Sequence, residues 1–228
     1  MAPSSIVYDF PTVFLPFKFE ANLMVMSKTS GTIELICGPM FSGKSEELIR
    51  RVNRVVISKQ PVQVFKPILD TRSKKEEIST HEGKFFRAIP ILNSTQLIEK
   101  INHEITTVAI DEAQFFDEVL VSIVEALADK GHRVILAGLD QDYLGEPFGV
   151  MSLLLAKADF VTKLQAVCMQ CGGLGTRTQR LVNSSDRVLV GASDLYEARC
   201  RKCHERSEAA PIPLNWDLKR SNRSSGDN

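Results

Sequence analysis

Three groups of residues have types and spacings that chemistry would require. In the stretch GPMFSGKS, residues 38–45, Gly38 and Gly43 frame a short loop that ends in Lys44 and Ser45. Glycines at those places let the backbone bend so that successive N–H groups face phosphate oxygens, and a helix starting there turns its N-terminus to the same anion. Lys44 would then reach the β- and γ-phosphates, and the Ser45 hydroxyl would serve Mg²⁺. A chance glycine-rich turn is the alternative. Against it, the apolar TIELIC before the loop and the amphipathic SEELIRRVNRVVIS after it supply the strand and helix that a phosphate cradle needs.

The second group is the carboxylate pair that ends TTVAIDEAQFF. A β-branched run leads into Asp111, and Glu112 follows at once. Successive residues leaving a strand point in different directions, so one acid can organise Mg²⁺ while the other activates a nucleophile. In a motor ATPase the second acid would polarise water, and in a kinase it would take the proton of a substrate hydroxyl. The motif does not choose between them, and a solvated loop acid is the plainer reading of Glu112.

The third group is cysteine. Five are present, and four form two CxxC pairs, Cys168/Cys171 and Cys200/Cys203, separated by 28 residues. In an intracellular chain this pattern favours a metal over disulfides, and four thiolates suit a closed, tetrahedral, structural Zn²⁺ site. His204 is a competing ligand, and two unrelated CxxC pairs are the bland alternative. The fifth thiol, Cys37, ends an apolar strand and reads as buried and inert. Residues 166–206 hold seven basic residues (Arg177, Arg180, Arg187, Arg199, Arg201, Lys202, Arg206) against the acids Asp186, Asp194, Glu197 and Glu205. Bound thiolates would cancel part of that excess, so a nucleic-acid-binding zinc ribbon has weak support.

The elements that must position these groups alternate between residues 31 and 165. TIELIC, VQVFKP, TTVAIDEAQF and RVILAGL read as strands; EELIRRVNRVVIS, STQLIEKINHE, VLVSIVEALADKG and FGVMSLLLAKAD read as helices. That alternation predicts an α/β domain, a mostly parallel sheet covered by helices. Gly131 stands where a helix C-cap belongs. From about residue 166 the pattern changes to short strand-like pieces and turn residues, a small second unit. The expected organisation is a loose N-terminal extension at 1–30, a phosphate-binding domain at 31–165, a zinc unit at 166–210 and a disordered tail at 211–228. Met26 is an alternative translation start. With 28 Lys plus Arg against 28 Asp plus Glu, no global field draws the chain to nucleic acid or an anionic membrane, and no apolar run is long enough to span one. The expectation is a soluble, cytoplasmic protein.

Taken together, GPMFSGKS, LDTR, DEAQFF, PFG and the CxxC pairs flanking VGASDLY closely resemble the zinc-containing thymidine kinases of human cytosol and many bacteria, in the expected order over residues 31–206. The resemblance implies a RecA-like P-loop domain with a zinc-stabilised lasso, and transfer of the ATP γ-phosphate to the 5′-hydroxyl of thymidine. It implies that Gly38, Pro39, Met40, Phe41, Ser42, Gly43, Lys44 and Ser45 hold ATP. Asp70, Thr71 and Arg72 of LDTR, together with Asp111, Glu112, Ala113 and Gln114, would join them. Ser45 and Asp111 would hold Mg²⁺, Glu112 would be the general base, and Cys168, Cys171, Cys200 and Cys203 would hold Zn²⁺. The nucleoside pocket would comprise Met40, Phe115, Leu139, Tyr143, Phe148, Thr178, the lasso residues Arg187, Val188, Leu189, Val190 and Gly191, and Tyr196. Met40 would face the thymine methyl group. Taken singly, Leu139 and Phe148 read as core, and Tyr143 stands where the family often has Phe. The resemblance further implies a homotetramer, feedback inhibition by dTTP, and neither a nucleic-acid nor a membrane partner. The contrasting reading is a RecA-like ATPase with a DNA-binding zinc ribbon.

Overall fold

The computed structural model describes residues 30–68, 77–79, 85–102, 104–182 and 195–205. In chain order the elements are β1 (Thr32–Cys37), α1 (Lys44–Ile57), β2 (Val62–Pro67), β3 (Glu77–Ser79), β4 (Phe85–Arg87), β5 (Ile89–Ile91), α2 (Ser94–Lys100) and β6 (Thr107–Ile110). After a 3₁₀ turn at Ala113–Phe115 come α3 (Val119–Asp129), β7 (Arg133–Gly138), α4 (Met151–Lys157) and β8 (Phe160–Lys163). The cysteine-bearing unit contributes β9 (Ala166–Val167), β10 (Leu174–Gly175), β11 (Arg177–Arg180) and β12 (Tyr196–Arg199). The central sheet has the order β5-β2-β6-β7-β1-β8, and every neighbouring pair is parallel.

A parallel sheet needs both faces covered, and the strand sequences oblige by being apolar on both sides. Leu35, Phe65, Val108, Ile110 and Leu136 face a core closed by Leu97 of α2, Leu120 and Val124 of α3, and Met151 and Leu154 of α4. Their alternates Ile36, Val64, Ala109, Ile135 and Ala137 face Leu48, Ile49 and Val52 of α1. The helix that opens at the GKS segment therefore closes one face of the sheet, which ties the loop's position to the core. Among the described residues no helix is long and apolar enough to cross a membrane.

The α/β pattern read from the sequence is present, with three differences. Two edge strands, β5 and β8, were not foreseen: Pro90 hides β5 because proline cannot donate to a ladder, yet an edge tolerates it. Helix α2 stops at Lys100 and does not run through INHE. There the Gln63 side chain takes over, donating to the Lys100 carbonyl at 3.1 Å and accepting from Asn102 N–H at 2.7 Å. Helix α4 starts only at Met151, because Gly149 holds φ at 51°. Gly131 does end α3. Its φ is 93°, its N–H donates to the Ala128 carbonyl at 2.9 Å, and His132 N–H donates to the Leu127 carbonyl at 3.0 Å, a Schellman closure.

An ion-pair network fastens α1 to the strands. Arg51 donates to Glu34 at 2.7 Å and to Glu47 at 2.8 Å, Arg133 donates to Glu34 at 2.6 Å, and Arg50 donates to Glu47 at 2.6 Å. Hydrogen bonding from Arg50, opposed by partial burial and reinforced by Arg51, brings the Glu47 carboxyl from 4.5 down to about 2. Burial works against ionised Glu34, but Arg133 and Arg51 outweigh it and lower its pKa. A carboxylate depressed by folding stabilises the fold above its unfolded value and loses that contribution as pH falls towards its folded one. Glu47→Gln is therefore expected to lower stability at neutral pH by about 1 kcal/mol, a figure discounted for the exposure of Arg50. The difference from wild type should fade as pH falls from 4.5 to about 2 in thermal melts across a pH series.

Candidate nucleotide and nucleoside site

The loop after β1 is shaped by three left-handed residues, Gly38 (φ 144°), Phe41 (φ 64°) and Gly43 (φ 82°). A β-carbon on Gly38 would lie 2.5 Å from the Leu164 carbonyl oxygen, so no other residue fits where β1 leaves the sheet. Turns of this kind aim consecutive N–H groups at one point, and α1 adds its N-terminus directly afterwards. Ser42 Oγ and Lys44 Nζ both donate to the Pro39 carbonyl, each at 2.8 Å, which ties the loop across its own mouth. Cys37 beneath it is fully buried. Burial, then the nearby Asp140 carboxylate, pushes its thiol up to about 11, so it stays protonated and inert at neutral pH.

Asp111 follows β6 and is buried; its Oδ2 lies 3.4 Å from Ser45 Oγ, which donates to it, and its Oδ1 accepts the Glu112 N–H at 3.0 Å. A hydroxyl and a carboxylate meeting in this way form a hard-oxygen donor set that fits Mg²⁺. Glu112 sits in the left-handed region, φ 51° and ψ 45°, at the start of the 3₁₀ turn. The backbone thereby turns sharply at the strand end, and the Glu112 carboxylate accepts from the Gln114 amide.

Of the expected pocket residues, Phe115 and Phe148 meet edge to face with ring centroids 5.7 Å apart. Leu139 is buried directly after β7. Met40 N–H donates to Thr178 Oγ1 at 3.0 Å, joining the phosphate loop to β11. Tyr196 lies on β12, and its hydroxyl accepts from Arg180 at 3.1 Å. Asp70, Thr71, Arg72 and the stretch Arg187, Val188, Leu189, Val190 and Gly191 lie outside the described residues.

The sequence reading missed how β11 is used. All four side chains of its RTQR are buried, an unusual content for a strand. Arg177 donates to the Gln141 side chain, Thr178 accepts from Met40, and Gln179 Oε1 accepts the Glu205 N–H at 2.8 Å. The Arg180 guanidinium lies 3.6 Å from the Tyr143 ring centroid and 5.6 Å from that of Tyr196. A run of polar residues with no apolar partner was the available signal; Thr178 was assigned to the pocket, but Arg177 and Arg180 were counted only as charge.

The cysteine reading is met by geometry. The sulfurs of Cys168, Cys171, Cys200 and Cys203 lie within 4.8 Å of one another, a closed four-thiol set that could hold a metal and fits Zn²⁺. Burial opposes ionisation of Cys168, but backbone hydrogen bonds from Cys200, Cys171 and Gln170 outweigh it and lower its thiol to about 6, in the direction that metal binding requires. His204 is not a member of this set. It is buried, and its Nε2 pairs with the Tyr143 carbonyl oxygen at 2.9 Å.

The glycine-shaped loop after β1 and the Ser45–Asp111 contact lie along one parallel sheet covered by helices, which makes the chain an α/β protein. A family model for thymidine kinase matches residues 31–204, and the chain belongs to that family. The membership makes it a kinase, a phosphotransferase.

If the four thiols hold a structural ion, purified protein should contain about one zinc per chain by elemental analysis. Cys200→Ser should remove it and lower the melting temperature by about 10 °C, the shift that roughly 3 kcal/mol produces in a chain of this size.

Proposed function

We propose that the protein transfers the γ-phosphate of ATP to the 5′-hydroxyl of thymidine, giving ADP and thymidine monophosphate for nucleotide salvage. The observation that supports this reading is the meeting of Ser45 Oγ and Asp111 Oδ2 at 3.4 Å, with Glu112 following Asp111 in a left-handed turn, in a chain of the thymidine kinase family.

In this reading the Gly38–Ser45 backbone and the N-terminus of α1 bind the phosphates. Lys44 exchanges the Pro39 carbonyl for phosphate oxygens and neutralises charge on the group in transfer. Ser45 and Asp111 would hold Mg²⁺, which when bound stabilises negative charge on the phosphates. Glu112 takes the proton of the 5′-hydroxyl as its oxygen attacks the γ-phosphorus, and the bond to the ADP oxygen breaks. The Phe115 and Phe148 pair, Leu139, Tyr143, Thr178 and Tyr196 shape the nucleoside side. Met40, on the same loop, contributes an apolar surface for the thymine methyl.

Contacts from Asp70, Thr71, Arg72, Ala113 and from residues 187–191, like the homotetramer, dTTP inhibition and cytoplasmic location, rest on the family resemblance. The DNA-binding alternative loses support at β11 and β12. Arg177, Arg180 and Arg199 are buried and engaged within the protein, with Arg199 donating to Glu197 at 2.5 Å and to Glu205 at 2.8 Å. They offer no basic surface to a phosphate backbone.

Glu112→Gln should retain thymidine binding while kcat falls roughly a hundredfold to ten-thousandfold, the range general-base removal commonly costs. Steady-state kinetics with calorimetric binding would check this, and unchanged turnover would remove Glu112 as the base. Met40→Gln should raise KM for thymidine about tenfold or more, with little change in KM for ATP, because an apolar contact to the methyl is replaced by a polar group. Equal losses for both substrates would reject the methyl contact.

A further inference from the structure

We infer that Gln114 is a positioning residue for the general base: its carboxamide, anchored on the Leu139 backbone, fixes the plane in which the Glu112 carboxylate meets the substrate hydroxyl. The inference rests on the proposed role of Glu112, and it gives Gln114 a task distinct from the ATP contact expected of it.

Gln114 is 3 % exposed, and both ends of its amide are engaged. Oε1 accepts the Leu139 N–H at 2.9 Å, and Nε2 donates to Glu112 Oε2 at 2.5 Å. The orientation of the amide is dictated by these partners. An N–H can only be met by the oxygen, so the NH₂ must face the carboxylate. In a regular helix residues two apart do not face each other. Here the left-handed Glu112 and the 3₁₀ turn after it, closed by Phe115 N–H on the Glu112 carbonyl at 3.1 Å, bring the Gln114 side chain back onto its neighbour.

The surroundings are cut to this arrangement. A β-carbon on Gly138, the last residue of β7, would stand 2.7 Å from Gln114 Oε1. One on Gly149, whose φ is 51°, would stand 2.3 Å from the Gln114 carbonyl oxygen. Gly138 thus leaves room for the Gln114 amide, and for the Met151 side chain 2.8 Å from the same β-carbon position, while Gly149 leaves room for the backbone of residue 114. Holding one carboxylate oxygen fixes the whole group, so the direction of its lone pairs is set before substrate arrives, as preorganisation requires. Leu139 supplies the anchor, so β7 carries both the strut of the base and a wall of the proposed nucleoside pocket.

The test is a mutant cycle. Gln114→Met keeps the length and removes the donor; Gln114→Glu keeps the shape and replaces the donor with an acceptor. Each should lose kcat about tenfold to a hundredfold, as misplacement of a reacting group by about an ångström does, with KM for ATP and thymidine little changed. Gln114→Met also leaves the buried Leu139 N–H unmet and should lower the melting temperature by several degrees. Gln114→Glu sets two carboxyls together and should move the acid limb of the kcat–pH profile upward. The double variant Glu112→Gln/Gln114→Met should be no slower than Glu112→Gln, because positioning has no value once the base is gone. Wild-type kcat in both Gln114 variants overturns the inference. So does a Gln114 loss that multiplies fully with that of Glu112→Gln, since a merely structural role would do that. If Gln114→Met does not fold, Gln114→Glu and its double variant with Glu112→Gln decide alone. Failure of the underlying reading is seen separately: wild type that does not phosphorylate thymidine, or Glu112→Gln with full activity, rejects the base itself and this inference with it.

Discussion

Everything in the candidate site depends on two backbone ladders, β1 on β7 and β7 on β6. Their register sets Cys37 level with Gly138 and Ile110 level with Leu136, so the phosphate loop and the acidic pair leave the sheet at the same edge with one strand between them. At the usual spacing that separation is about 10 Å, too far for direct contact between strand ends. Helix α1 closes the gap, because its first turn carries Ser45 back across β7 to within 3.4 Å of Asp111. Any slip of the parallel register would move Asp111 off that hydroxyl and turn the strand's buried residues to the wrong face.

The cysteine unit reaches the same edge through β11. That strand pairs antiparallel with β12, Thr178 opposite Ala198, and Cys200 follows β12 directly. A metal held by the four thiols would therefore brace the strand whose Thr178 hydroxyl accepts the Met40 N–H. Met169 N–H on the Ala198 carbonyl at 2.9 Å links the first CxxC pair to the same strand. Such an ion would need no vacant position to matter for the site; it would act by fixing the strand whose Ala198, two residues before Cys200, pairs with Thr178.

Much of this was legible because periodicity and local motif chemistry report on strongly determined features. TIELIC and VQVFKP could be read as strands, and the CxxC pairs as a metal set, since each follows from burial or ligand chemistry within a few residues. Features that depend on distant partners were not legible. Pro90 disguised an edge strand whose place only the sheet order reveals. The end of α2 depends on Gln63 from β2, and His204 is directed away from the cysteines by the Tyr143 carbonyl. The role of Gln114 needs a turn, two glycines and a backbone N–H from three segments, and no spacing rule encodes that combination.

Tyr143 shows how such long-range constraints decide a residue's meaning. As a lone aromatic in a loop it reads as core or as pocket wall. In the fold the cysteine unit holds it twice, with Arg180 stacked 3.6 Å from the ring centroid and His204 on its carbonyl oxygen. A desolvated guanidinium is costly unless its charge is met, and aromatic faces and a tyrosine hydroxyl supply part of that. The pairing works in both directions: the ring stabilises a buried cation, and the cation fixes the ring. Tyr143 is thereby a joint between the cysteine unit and the loop after β7. The shape of the proposed nucleoside pocket accordingly follows from packing between the two parts of the chain more than from the loop sequence that carries the tyrosine.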